Sequence, residues 1–157
     1  MSLFDAKPPD EREIRRGKLI KSAVITIVVL AVLAGPLLYI FHNYFEERAT
    51  DKFFAALEQK DYKRAFGIWN ADADWEQHAD RYKDYTFGEF QLDWGPPGKY
   101  GEIKSHEVLG SVTPRSKLTE ATGVVVAVRV NGRGEPECLW VDRKTKAIGF
   151  SPLPCMA

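Results

Sequence analysis

The sequence predicts an α+β protein: an N-terminal single transmembrane helix, then a small helix pair and a curved antiparallel sheet roll. Three observations carry that expectation. Ser22 to Phe41 contains no charged residue. Apolar residues between positions 53 and 82 recur at the i, i+3, i+4 spacing of helices. From position 85 onward the period changes to alternation and β-branched runs interrupted by Gly and Pro. The chain averages these unlike parts into a mean hydropathy of −0.30, with 22 basic and 22 acidic residues in 157.

The composition excludes several classes. A balanced charge is unlike the basic excess of a dedicated nucleic-acid binder, so no nucleic-acid partner is expected. Two cysteines are too few for a zinc ribbon or a disulfide scaffold. A chain that is 45% hydrophobic and 12% aromatic is not disordered as a whole.

The first element is the membrane helix. The run SAVITIVVLAVLAGPLLYIF is long enough at about 1.5 Å per residue to span the roughly 30 Å of a bilayer's hydrocarbon core. Pro36 removes a backbone donor and crowds the carbonyl four residues back, so a kink over 32–36 is expected. Ala31, Gly35 and Pro36 then form a candidate notch for packing a neighbouring membrane helix. Val32-Leu33-Ala34 before Gly35 has the small-residue look of a signal-peptide processing site. The long preceding polar segment and the apolar residues after Pro36 favour an uncleaved signal anchor.

Orientation follows from the flanks. Lys7, Arg12, Arg15, Arg16, Lys18 and Lys21 precede the span, whereas only Arg48, Lys52 and Lys60 occur in the twenty residues after it. The positive-inside rule therefore keeps the N-terminus cytoplasmic and translocates the rest. The expected organisation is a cytoplasmic basic tail over 1–21, extended near Leu3, Phe4 and Lys7-Pro8-Pro9-Asp10, and a transmembrane helix over 22–41. A juxtamembrane linker or helix extension over 42–49 leads to an extracytoplasmic α+β domain over 50–157. The expected location is the cell (inner) membrane, single-pass, with the domain periplasmic or extracellular.

Within the domain, Thr50-Asp51 is read as the N-cap of a helix carrying Phe53, Phe54 and Leu57 to near Lys60. Asp61 caps a second helix with Tyr62, Ala65, Phe66 and Trp69 on one face. A third helical piece runs from Trp75 to about Lys83. Residues 85–94 alternate, placing Phe90, Leu92 and Trp94 on one face of an expected strand, which Gly95-Pro96-Pro97-Gly98 stops. Further strands are expected over 103–112, 122–131, 137–142 and 147–150, with loops over 113–123 and 131–136 and a hairpin turn over 142–146. Helices followed by an antiparallel meander place the helices on one face of the sheet.

The stretch Phe53-Phe54-Ala55-Ala56-Leu57-Glu58-Gln59-Lys60-Asp61-Tyr62-Lys63-Arg64-Ala65-Phe66 has the form F-x-x-A-L-x-x-x-D-Y-x-x-A-F. It resembles the opening helix pair of the nuclear-transport-factor-2-like superfamily, the cystatin-like α+β roll, in membrane-anchored form. The resemblance covers about 50–152. It implies a cone-shaped cavity that some members use for small ligands or catalysis, while others use the sheet for protein contacts.

Candidate chemistry is sparse. Asp74, one turn before His78, could orient an imidazole for acid–base work, but an exposed polar helix face accounts for the spacing equally well. Asp72, Asp74, His78 and Asp80 read as a solvated face rather than a metal site. Glu89 and Asp93 point away from the apolar face of the expected strand. No catalytic, cofactor-binding or metal residue is assigned, and no enzyme activity is expected. Trp94, Pro96, Pro97 and Tyr100 are a candidate partner contact, since two prolines between amphipathic rings preorganise a surface. A hairpin near Lys144-Thr145 sets Cys138 opposite about Ser151. Pro152 and Pro154 could fold the tail back so that Cys138 and Cys155 form a candidate disulfide, worth about 3 kcal/mol if unstrained; two free thiols are the alternative.

The expected function is that of a membrane-anchored protein whose domain makes protein–protein contacts as an accessory or assembly subunit of a membrane complex. Its partners would be the lipid bilayer and another membrane protein or complex, with a homo-oligomer as a variant. The alternative is a small-ligand-binding or enzymatic roll that uses its internal cavity.

Overall fold

Helix α1 extends from Glu11 to Ile40 and includes Gly35-Pro36 without interruption. The computed structural model describes residues 11–114 and 122–155. The expected extended tail over 3–10 and most of the loop over 113–123 lie outside the described residues. The chain divides into two units after His42. In the first, the segment Arg15–Gly35 of α1 is long and apolar enough to cross a membrane by length and composition. Its large apolar side chains, from Leu19 to Leu37, are at least half exposed within the chain.

The second unit is an α+β fold. Its elements are α2 (Tyr44–Glu58), α3 (Tyr62–Trp69), a 3-10 helix (Trp75–Tyr82), α4 (Phe87–Trp94) and strands β1 (His106–Val112), β2 (Gly123–Val130), β3 (Glu137–Asp142) and β4 (Ile148–Phe150). The strands form one open antiparallel sheet in the order β1-β2-β3-β4.

Two expectations are corrected. Helix α2 begins at Tyr44, so Thr50 lies inside it and is not an N-cap. Thr50 is fully buried in mid-helix, its hydroxyl donating to the carbonyl of Glu46 at 3.1 Å, an i−4 bond open to Ser and Thr inside helices. Residues 87–94 form a helix, not a strand, because Thr86 and Glu89 make a capping box. The Thr86 Oγ1 accepts from the Glu89 amide and a Glu89 carboxylate oxygen accepts from the Thr86 amide at 2.7 Å. The helix buries Phe90 and Trp94, four apart, and leaves Leu92 62% exposed; a strand would have put all three on one face.

Asp61 does cap α3, its side chain accepting from the Arg64 amide at 3.1 Å. Between the two helices Lys60 takes a left-handed conformation, φ 59°. The Lys60 amide donates to Leu57 and the Asp61 amide to Ala56, the paired bonds of a Schellman turn. Asn131, φ 53°, follows β2 and clamps the segment before β1. Its Oδ1 accepts from the Lys104 amide at 2.8 Å and its Nδ2 donates to the Glu102 carbonyl at 3.0 Å.

The core lies between the helices and the inner sheet face. Val124, Val126, Val128 and Val130 alternate along β2 and are buried there with Leu139 and Val141 of β3. Phe53 meets Trp94 edge to face at a centroid distance of 5.1 Å, and Phe66 meets Trp75 at 4.7 Å. Aromatic pairs in such geometry add about 0.5–1.5 kcal/mol beyond their burial. A bulge between Val108 and Gly110 interrupts the β1 register, and Gly110, φ 142°, supplies a conformation that L side chains rarely adopt.

Candidate functional site

Helices α2 and α3 and the 3-10 helix border a groove of about 660 Å³, a size typical of small-ligand sites. The floor follows from local packing. Gly67 of α3 lets the chain after the helix come close: a Cβ there would lie 2.9 Å from the Asp72 carbonyl oxygen and 3.3 Å from the Trp75 ring. Trp75 is buried against Phe66, and its Nε1 donates to the Lys63 carbonyl at 3.1 Å. Ala49 and Ile68 complete the apolar floor, and Phe45, 68% exposed, stands at the edge.

The rim is cationic. Arg48 and Lys52 come from α2, Lys63 and Arg64 from α3, and Lys146 from the β3–β4 turn, against the acidic residues Asp72 and Glu76. Lys63 pairs with Glu76 at 2.5 Å and Lys146 with Glu46 at 2.6 Å. Among the described residues Lys52 and Arg64 make no ion pair, and the Arg48 guanidinium donates to the Tyr44 hydroxyl at 3.5 Å. The positive rim belongs to a domain whose residues 46–157 hold 16 basic and 18 acidic groups.

Asp72 joins the groove to a polar cluster. One oxygen of its carboxylate takes hydrogen bonds from the Tyr82 hydroxyl and the His78 Nε2, and the other accepts from the Asp74 amide at 3.1 Å. The Tyr82 hydrogen bond, with help from His78, holds the Asp72 carboxyl below the usual carboxylate range. Burial and the same carboxylate push the Tyr82 phenol up. Asp72, not Asp74, is thus the carboxylate on His78, because His78 departs from helical geometry (φ −142°, ψ 43°) within the 3-10 helix. A one-turn spacing rule has no access to that departure.

A second histidine cluster was not legible in the sequence at all. His106 opens β1 and meets two carboxylates of α2: Glu58 at 2.6 Å from Nδ1 and Asp51 at 3.1 Å from Nε2. It stacks on Phe54 with 5.4 Å between centroids. Asp51 and Glu58 lie seven apart, two turns on one helix face, but only the packing of α2 on β1 brings His106 between them. Among the described residues, no group of three or more His, Cys, Asp or Glu side chains could hold a metal ion.

The residues singled out from the sequence are dispersed. Trp94 is 3% exposed and belongs to the core, whereas Pro96, Pro97 and Lys99 of its loop are exposed. Tyr100 is half-buried, stacked on Trp94, and its hydroxyl donates to Glu137, which also pairs with Lys99 at 2.7 Å. Ala31 and Gly35 are exposed on α1 and a Cβ at Gly35 would meet nothing within 4 Å; the side chain of Pro36 lies outside the described residues. Cys138 and Cys155 are joined as a disulfide with 5.4 Å between Cα atoms, a usual separation. The Ser151 amide donates to the Cys138 carbonyl at 3.2 Å, so the hairpin register has Ser151 opposite Cys138.

On the outer sheet face Leu109 and Val112 are exposed and Val125 is buried, and with Ala127 they line a depression of about 970 Å³ beside the disulfide. Comparison with protein families, curated proteins and solved structures finds no match to this chain.

Proposed function

We propose that this chain is a single-pass, signal-anchored membrane protein with a cytoplasmic N-terminus, whose extracytoplasmic domain binds other proteins as an accessory or assembly subunit of a membrane complex. The supporting observation is where the fold has no room and where it does. Phe53, Phe54, Phe66 and Phe90 are all fully buried between helices and sheet, the volume in which a cystatin-like roll would hold a ligand. Apolar side chains of the outer sheet face, Leu109 and Val112, remain over a third exposed. A filled interior with an accessible sheet supports contact through surfaces over catalysis in a cavity.

The cell membrane with a periplasmic or extracellular domain is the location that the basic flank supports. Topology is tested with single cysteines introduced at positions 10 and 115 and a membrane-impermeant maleimide. Labelling from the outside at 115 alone is expected; labelling from the cytoplasmic side at 115 overturns the orientation. The subunit reading is tested by solubilising membranes in mild detergent and purifying the tagged chain. A defined complex is expected, and a lone monomer under gentle conditions refutes it.

A further inference from the structure

We infer that the groove between α2, α3 and the 3-10 helix is a binding site for an anionic phospholipid, the phosphate held by Lys52, Arg64 and Arg48 and the start of an acyl chain lying on the floor. Four observations converge on this occupant. Lys52 and Arg64 make no ion pair among the described residues, and the groove lining holds five basic side chains against Asp72 and Glu76, in a domain with more acidic than basic groups. The floor between these cations is apolar, built from Ala49, Ile68 and Trp75. A free phosphate would use only the rim and an apolar ligand only the floor; an anionic amphiphile uses both. Phe45 projects a largely exposed ring at the edge, and it follows Ile40, the last residue of α1, by five positions in the chain. Basic side chains attract anionic headgroups, so three on one groove favour an anionic over a zwitterionic lipid.

The inference rests on the membrane reading for the supply of lipid, but its test does not. The full-length chain in detergent is titrated with phosphatidylglycerol, phosphatidylcholine or inorganic phosphate, and adducts are counted by native mass spectrometry. Phosphatidylglycerol is expected to bind at least tenfold more tightly than phosphatidylcholine, with millimolar phosphate failing to displace it. Lys52→Glu with Arg64→Glu is expected to remove that preference, and Phe45→Ser to weaken both lipids. Lys104→Glu with Arg133→Glu, exposed positions outside the groove, is expected to change neither. Hydrogen exchange on adding phosphatidylglycerol is expected to slow in residues 45–52 and 62–76. A preference that survives Lys52→Glu with Arg64→Glu, one lost instead on Arg15→Glu with Arg16→Glu, or displacement by phosphate alone overturns the inference. So does binding of an acidic peptide without binding of lipid. Failure of cysteine labelling would sink the topology and leave this titration standing, so the two failures are distinguishable.

Discussion

Glu46 and Lys146, a hundred positions apart, meet at 2.6 Å, tying the first turn of α2 to the turn between β3 and β4. The Lys146 ammonium also donates to the Arg143 carbonyl at 2.5 Å, which fixes it at the end of the groove. Glu46 is 3% exposed. Burial by itself pushes its carboxyl up, but the Lys146 hydrogen bond and the charges of Lys146 and Arg143 outweigh it and leave the carboxyl below the usual carboxylate value of 4.5.

That balance predicts acid sensitivity. A carboxyl with a lower pKa folded than unfolded stabilises the fold fully above its unfolded value, and the contribution is lost as pH falls through the folded value. Stability should therefore decline below about pH 4.5, the ordinary value for this carboxyl. Thermal melts of wild type and Glu46→Gln check this: the variant should be less stable by about 1–2 kcal/mol at pH 7, with the difference narrowing on acidification. A difference that does not vary with pH would refute the assignment.

Gly67→Ala should destabilise the domain by about 1–3 kcal/mol, although alanine is the better helix former. The added Cβ would press on the Asp72 carbonyl, 2.9 Å away, and lift the chain that carries Trp75. Gly88→Ala in α4, where the nearest atom is 3.9 Å away, should instead gain about 0.5 kcal/mol. Urea unfolding of the two variants side by side gives opposite shifts in midpoint.

Thr86→Ala should cost about 1 kcal/mol, the usual loss for an N-cap, and should move the Tyr85–Phe90 region first in hydrogen exchange. Glu89→Gln should retain most of the stability, because a glutamine oxygen can still accept from the Thr86 amide. If Thr86→Ala is silent, the capping box does not hold α4.

The disulfide should survive purification without reductant, and mass analysis after alkylation should find neither Cys138 nor Cys155 modified. Cys155→Ser should lower stability by about 2–4 kcal/mol. Alkylation of both thiols in the native protein would contradict the pairing.

Several of these features were readable from residue order, because they rest on local chemistry. The chargeless run, the Asp61 cap, the turn residues around Asn131 and Lys144, and the valine-rich run of β2 are set by neighbours within a few positions. The α4 signal was also local, Thr86 and Glu89 three apart, but the alternation of Phe90, Leu92 and Trp94 mimics a strand and conceals it. Burial settled the matter, since only the helix puts Phe90 and Trp94 into the core and Leu92 into solvent.

The sequence by itself determined a segment able to cross a membrane, an α+β domain with helices before strands, and a hairpin register that leaves Ser151 opposite Cys138. Tertiary structure alone decided that Trp94 is core, that Asp72 and not Asp74 holds His78, that Glu58 and Asp51 flank His106, and that cations from α2, α3 and a distant turn gather on one groove. The physical reason is range. Caps, turns and periodicity are fixed by bonds spanning a few residues, whereas a site is assembled by packing that brings Glu46 to Lys146 across a hundred positions.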